Sequence, residues 1–466
     1  MKHPKRVLGT FTLAMITAAA IISLRNLPGA AVFGFSSVFY FGVAALIFFI
    51  PIALATAELA AGWPHAGGAY VWVSEAFGKK WGFFALWAAW MGIIAWFPAI
   101  LAFTATMLAH LIAPVFPGFE ESKPFYFAVM FVVFWGATFL NFLGIQTSSW
   151  ISSLGVLSGT VIPGALIIVL GIWWVLAGHD THIVFSTQTL IPDFQLETMV
   201  LFAGILLGFV GVEVAAYHVK EAKEPQKEYP RAIAIAAIFI LVISIVGTLS
   251  IAMVVPQKEI SLLSGLIQGF TVFLSAFDLV WAVPILALLL LIGSLAGINT
   301  WIVGPAKGLL VTAQDGFLPP SLARVNDKGV PTGMLIFQAT IGTILSFVFL
   351  FMDSHSAAFW VLTALSAQFA VVQYGFVFAA VLRLRYSQPH THRAYRVPGG
   401  KAGLWLIALV GIAACAFGFW IGFVPPSQLE TGDKTTYQTL LGACVIILSC
   451  IPLVFSLKRR FRRKKA

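Results

Sequence analysis

The chain has 466 residues, of which 60% are hydrophobic and only 10% charged, with a mean hydropathy of +0.95. A soluble domain of this size cannot hide so much apolar surface, whereas a bilayer hides it directly, so a soluble enzyme or binding module is excluded. The formal net charge of +10 calls for no nucleic-acid partner, because the basic residues fall where membrane orientation requires them.

A membrane-crossing helix takes about 20 apolar residues. Twelve such stretches follow one another, at 7–33, 37–62, 81–113, 124–144, 149–177, 197–219, 231–256, 279–312, 331–352, 357–382, 402–424 and 437–457. The expected class is an all-α integral membrane protein, one transmembrane domain over 1–466. Segment one is too long for the apolar core of a secretory leader and has no cleavage site, so it is expected to be retained. It is interrupted at Ile22-Ser23-Leu24-Arg25-Asn26-Leu27-Pro28-Gly29. A mid-span proline removes a donor and clashes with the preceding turn. With Gly29 after it and the charged Arg25 before it, this predicts two half-helices joined by an unwound stretch.

Segment six holds the second interruption, Gly204-Ile205-Leu206-Leu207-Gly208-Phe209-Val210-Gly211-Val212-Glu213. Glycines recur there, and a carboxylate in mid-span costs about 2.5–3.5 kcal/mol on insertion scales. Irregular backbone survives in lipid only where it lines a cavity. The stretch 258–277, rich in Gly and Ser, is expected to form interfacial helices outside the bilayer. Cys415, Cys444 and Cys450 lie in the last two segments and read as small packing residues. No loop is long enough for a catalytic domain.

With a cytoplasmic N-terminus, all but four of the 28 basic residues fall on the cytoplasmic side; the exceptions are Lys123, Lys258, Lys434 and the intramembrane Arg25. Both termini are therefore expected in the cytoplasm, with the basic tail 458–466 against anionic lipid.

The two interruptions lie five segments apart. That spacing predicts two inverted five-helix repeats, 7–177 and 197–385, with helices eleven and twelve at 402–457 outside them and the binding site at the repeat interface. Gly and Pro also serve as kink or packing residues in membrane helices. Two breaks at corresponding positions, each with an ionisable residue, favour the site reading.

Lys220-Glu221-Ala222-Lys223-Glu224-Pro225, continuing to Tyr229-Pro230-Arg231-Ala232, resembles the sixth-helix signature of the amino acid–polyamine–organocation (APC) permeases. Glu58-Leu59-Ala60 with Gly62-Trp63-Pro64, and Trp301 through Gly308 followed by Asp315-Gly316-Phe317-Leu318-Pro319, resemble the second and eighth helices and their loops. Pro398-Gly399-Gly400-Lys401 and Phe423-Val424-Pro425-Pro426 resemble the C-terminal third of the bacterial glutamate/GABA antiporters. The resemblance runs from about residue 8 to 455. It implies a LeuT-like fold with discontinuous helices one and six, a bacterial inner-membrane location, and transport of amino acids or their decarboxylation products, commonly by exchange.

The ends of half-helices suit a zwitterion. Free N–H groups take the carboxylate, and bare carbonyls take the ammonium. The expected substrate-binding positions are Ile22, Ser23, Leu24 and Arg25, and Phe209, Val210 and Gly211. The resemblance adds Trp301, which helps close over substrate in related arginine/agmatine antiporters, and Tyr374, a substrate-facing position. Packing is the alternative for both. Glu213 is either a proton-sensing or coupling carboxylate, as the resemblance implies, or a structural group paired with unwound backbone or Arg25. Glu58 and Lys307 are gate or interface candidates. His110, His179 and His182 read as outer-face bystanders.

Departures from the antiporters matter as much. Arg25 falls where they carry Tyr, Gly297 where they carry a carboxylate, and Ala370 replaces a second Tyr. A structural Arg25 and a substrate-facing one both stay open; the second would favour an anionic side chain. Arginine-like substrates are least expected, by repulsion. The short tail also predicts no C-terminal plug. A proton-coupled amino-acid or polyamine symporter is the first alternative, and a non-transporting sensor or accessory subunit the second. No metal or cofactor is expected, and no nucleic acid. The substrate's identity and the oligomeric state stay open.

Overall fold

The computed structural model describes residues 9–63, 68–143, 155, 157–192, 194–212, 223–426 and 434–465. These residues form helices and turns, with no strand among them. Ten helices are long and apolar enough to cross a membrane, and they coincide with ten of the expected segments. The remaining two are segments one and six; segment one is interrupted, and segment six leaves its helix at Gly208 and lies outside the described residues from 213 on.

Segment one consists of α1 (Thr10–Ile21) and the short α2 (Leu27–Ala31). Segment two is α3 (Gly34–Gly62), which starts in a tight turn and carries a wider π turn at Ala45–Phe49. The chain then forms α4 (Ala69–Phe77) and, across Gly78, α5 (Lys79–Ile112). Gly78 has φ 92°, a left-handed conformation that lets one residue end a helix and start the next. The helices α6 (Lys123–Phe142) and α7 (Leu157–Leu176) follow, and segment six opens as α8 (Phe202–Gly208). Next come α9 (Pro225–Val254), α10 (Gly265–Ser275), α11 (Val283–Gln314) and α12 (Thr332–Phe351). The chain closes with α13 (His355–Ser387), α14 (Gly400–Ile421) and α15 (Lys434–Lys465).

The helix α10 falls within 258–277, where interfacial helices were expected. It has 11 residues, so it spans about 16 Å at 1.5 Å per residue, half of a hydrocarbon core of about 30 Å.

Burial separates centre from rim. In α5, 83% of the most apolar window is buried, against 17% in α15. The central α5 packs along α13 and α11, and α1 lies along α9. Small residues let backbones touch where helices cross. A Cβ on Gly293 of α11 would stand 2.2 Å from the Gly159 Cα of α7, a contact that only two glycines permit.

One end of the bundle is tied by charge. Asp315, at the end of α11, pairs with Lys79 at 3.0 Å and accepts from the Tyr70 hydroxyl of α4. Nearby, Gln388 donates to Glu75.

Candidate functional site

Segment one unwinds where expected. The helix α1 ends at Ile21, and Ile22 and Ser23 are extended, with ψ 120° and 111°. A single tight turn over Leu24–Asn26 leads into α2. Pro28 stands in the first turn of α2, where a helix needs no N–H from it. The break therefore precedes the proline. The bonds bridging it run from Ile22 N–H to Ala18 and from Asn26 N–H to Ser23. Neither uses the N–H groups of Ser23, Leu24 and Arg25, which stand at the head of the second half as first-turn donors.

The second break follows α8. The Phe209 and Val210 N–H groups still reach back to the carbonyls of Leu206 and Leu207, each at 3.1 Å. Gly211 then turns left-handed with φ 109°, a conformation that costs a Cβ-bearing residue about 1–2 kcal/mol. Its N–H is donated instead to the Tyr374 hydroxyl of α13 at 3.1 Å. Tyr374 is fully buried, with its ring edge-on to Phe48 at 5.4 Å.

The two breaks meet at Asn26. A Cβ on Gly208 would lie 3.7 Å from the Asn26 amide nitrogen. Two small cavities flank this point. Ser23, Asn26, Gly208 and Phe209 line one, with Phe41 of α3 and Ser244 of α9. Arg25, Asn26 and Gly29 line the other, with Leu201, Gly204, Phe359 and Thr363. Asn26, Gly204 and Ile205 border both. Ile22 is half-buried beside Ser23, while Leu24 turns away and packs toward Gly164 of α7. Val210 is half-buried.

Arg25 is only 7% exposed, and its Nε and Nη1 have no hydrogen-bond partner among the described residues. Its guanidinium lies 5.0 Å from the Trp96 ring of α5 and 5.9 Å from Phe359 of α13. Such stacking contributes about 2 kcal/mol when desolvated, while burying a charge costs several kcal/mol. The rings attract the cation but supply no hydrogen-bond acceptor for its Nε and Nη1. Trp301 stands one ring further out, 6.1 Å from Trp96, and borders neither cavity.

Glu58 lies elsewhere, at the end of α3. It is 1% exposed and is gripped from three sides. Arg385 of α13 reaches both carboxylate oxygens, with Nε at 2.6 Å from Oε1. Arg393 approaches to 3.5 Å, and the Val397 N–H donates at 2.8 Å. Arg393 also stacks on Trp63 at 5.0 Å and donates to the carbonyls of Leu384, Gln388 and Thr391. Burial lowers the Arg393 pKa from its ordinary value, while the Glu58 charge opposes that shift.

Glu213 lies outside the described residues. Lys307 belongs to α11, with its side chain also outside them. His110 bonds the Thr106 carbonyl at 2.9 Å, and His179 stacks on Trp174. Among the described residues no cluster of His, Cys, Asp or Glu is arranged to hold a metal.

Sequence reasoning passed over Asn26 and Trp96. The first carried a signal, an amide in an apolar span beside an arginine. Trp96 carried none, since it is one tryptophan among 15.

A family model described as amino acid permease matches residues 8–449. An uncharacterized transporter of Legionella pneumophila is 42% identical, over 98% of each chain. A glutamate/gamma-aminobutyrate antiporter of Lactococcus lactis subsp. cremoris is 30% identical, over 97% of this chain and 90% of its own. A probable agmatine/putrescine antiporter of Lactococcus lactis is 24% identical over 86% and 84%. The crystal structure of a manganese transporter from Eremococcus coleocola superposes with a TM-score of 0.59 at 12% identity, covering 97% of this chain and 94% of the other. That likeness is one of fold.

Proposed function

Because the chain belongs to the amino acid permease family, we propose that it exchanges one amino acid for another, or for an amine, by alternating access across the bacterial inner membrane. It is a multi-span secondary transporter of amino acids or amines and not an enzyme. The finer reading assigns twelve spans. The first ten are arranged as two inverted repeats, 7–177 and 197–385, with both termini cytoplasmic.

One observation carries this reading: the broken ends of segments one and six meet at Asn26 and Gly208 beside a cavity. The N–H groups at Ser23 through Arg25, unbonded among the described residues, suit a carboxylate, and the carbonyls that end α1 and α8 suit an ammonium. Ile22, Ser23, Leu24, Phe209, Val210 and Gly211 would hold the part common to all amino acids. Tyr374 would position the second break, and Trp301 would act through Trp96. Glu213 is the first candidate for coupling to protons. Relatives named as antiporters support exchange over symport.

Counterflow tests the proposal. Purified protein is placed in liposomes loaded with unlabelled amino acids, with labelled ones outside. Uptake that requires an internal partner is expected. Uptake into empty liposomes driven by a proton gradient would establish symport instead, and no flux with any amino acid would refute transport.

A further inference from the structure

We propose that Arg25 receives a second carboxylate, so that the preferred substrate is an amino acid with an acidic side chain. The inference rests on the transport reading above and adds the charge of the cargo.

The guanidinium is more than nine-tenths buried, and two of its nitrogens have no partner among the described residues. The guanidinium carbon lies 5.0 Å from the Trp96 ring centre and 5.9 Å from that of Phe359. An aromatic face attracts the cation but takes none of the in-plane N–H groups, which match a carboxylate in a two-point contact. Among the described residues Arg25 is the only charged one bordering its cavity, and the polar ones are Asn26, Thr363 and the Trp360 indole.

This cavity adjoins the one at the broken helix ends, with Asn26, Gly204 and Ile205 as the shared wall. A zwitterionic head held at Ser23 and Phe209 would extend its side chain past Asn26 toward Arg25. An acidic side chain completes the ion pair. A neutral one leaves a buried cation without an anion, and a basic one is repelled. Pairing of Arg25 with Glu213 is the rival arrangement. It would make the protein indifferent to side-chain charge.

The test is counterflow with the full chain in liposomes, read as half-saturating concentrations of glutamate and glutamine. These two differ by a charge and hardly at all in shape. The wild type is expected to prefer glutamate by about tenfold or more, equivalent to about 1.4 kcal/mol. Arg25→Gln is expected to abolish that ratio, and Arg25→Lys to keep part of it. Equal affinities in the wild type, or an unchanged ratio in Arg25→Gln, would overturn the inference. The wild-type comparison decides alone if the variant does not fold. Transport of neutral amino acids without acidic preference overturns this inference only. Absence of transport overturns the reading beneath it as well.

Discussion

The Tyr374 hydroxyl accepts the Gly211 N–H at 3.1 Å, so a side chain from the tenth segment occupies a donor that helix six would otherwise satisfy itself. The break is thus held from outside as well as permitted by its glycine.

Tyr374→Phe removes that acceptor and leaves a buried N–H unmatched, a loss of about 1–3 kcal/mol. The expected result is a folded protein with a lower thermal midpoint in detergent and slower counterflow. If both are unchanged, the hydroxyl is not what holds Gly211.

Gly211→Ala forces an alanine to φ 109°, at a cost of about 1–2 kcal/mol. Gly208→Ala is the matched control, because its Cβ would make only an ordinary contact of 3.7 Å with Asn26. The first variant is expected to unfold at lower temperature than the second. The reverse order would mean that the left-handed turn carries no strain.

Glu58→Gln leaves Arg385 and Arg393 crowded together without their anion. Breaking a buried ion pair in this way costs about 3–5 kcal/mol. The thermal midpoint should drop sharply. The double variant Glu58→Gln with Arg385→Met should recover part of the loss, since one unpaired charge goes too. A double variant less stable than the single one would contradict this account.

Tyr395 gives a pH dependence. It is 1% exposed, and its hydroxyl has no hydrogen-bond partner among the described residues. Burial first, and then the Glu58 charge, raise its pKa above the ordinary value. In the unfolded chain a tyrosine ionises near pH 10. The folded state keeps the proton longer, so stability is full below about pH 10 and falls as pH rises beyond it. Tyr395→Phe should flatten that alkaline decline in a series of thermal midpoints. An equally steep decline would assign it to other groups.

Much of this architecture was legible in the residues themselves. Apolar runs locate spans because lipid rewards nothing else, and Pro28 with Gly29, or Gly208 with Gly211, announce where a helix stops. The break in segment one nevertheless falls just before its proline, since a proline is welcome in the first turn of the half that follows. Long-range partners left no such trace. Glu58 and Arg385 are separated by 327 positions. The stacking of Arg25 on Trp96 joins residues whose neighbours look like those of any membrane helix. Polar partners chosen by three-dimensional proximity have no period for a sequence to display.

The grip on Glu58 has a mechanical corollary. It joins α3 to α13 and to the loop carrying Arg393 and Val397. Pulling these apart would strand one anion and two cations in a dry interior, the dearest rearrangement on offer at that end. The second and tenth helices should therefore travel as a single rigid body. Any doorway at that end of the bundle must be opened by their neighbours swinging around them.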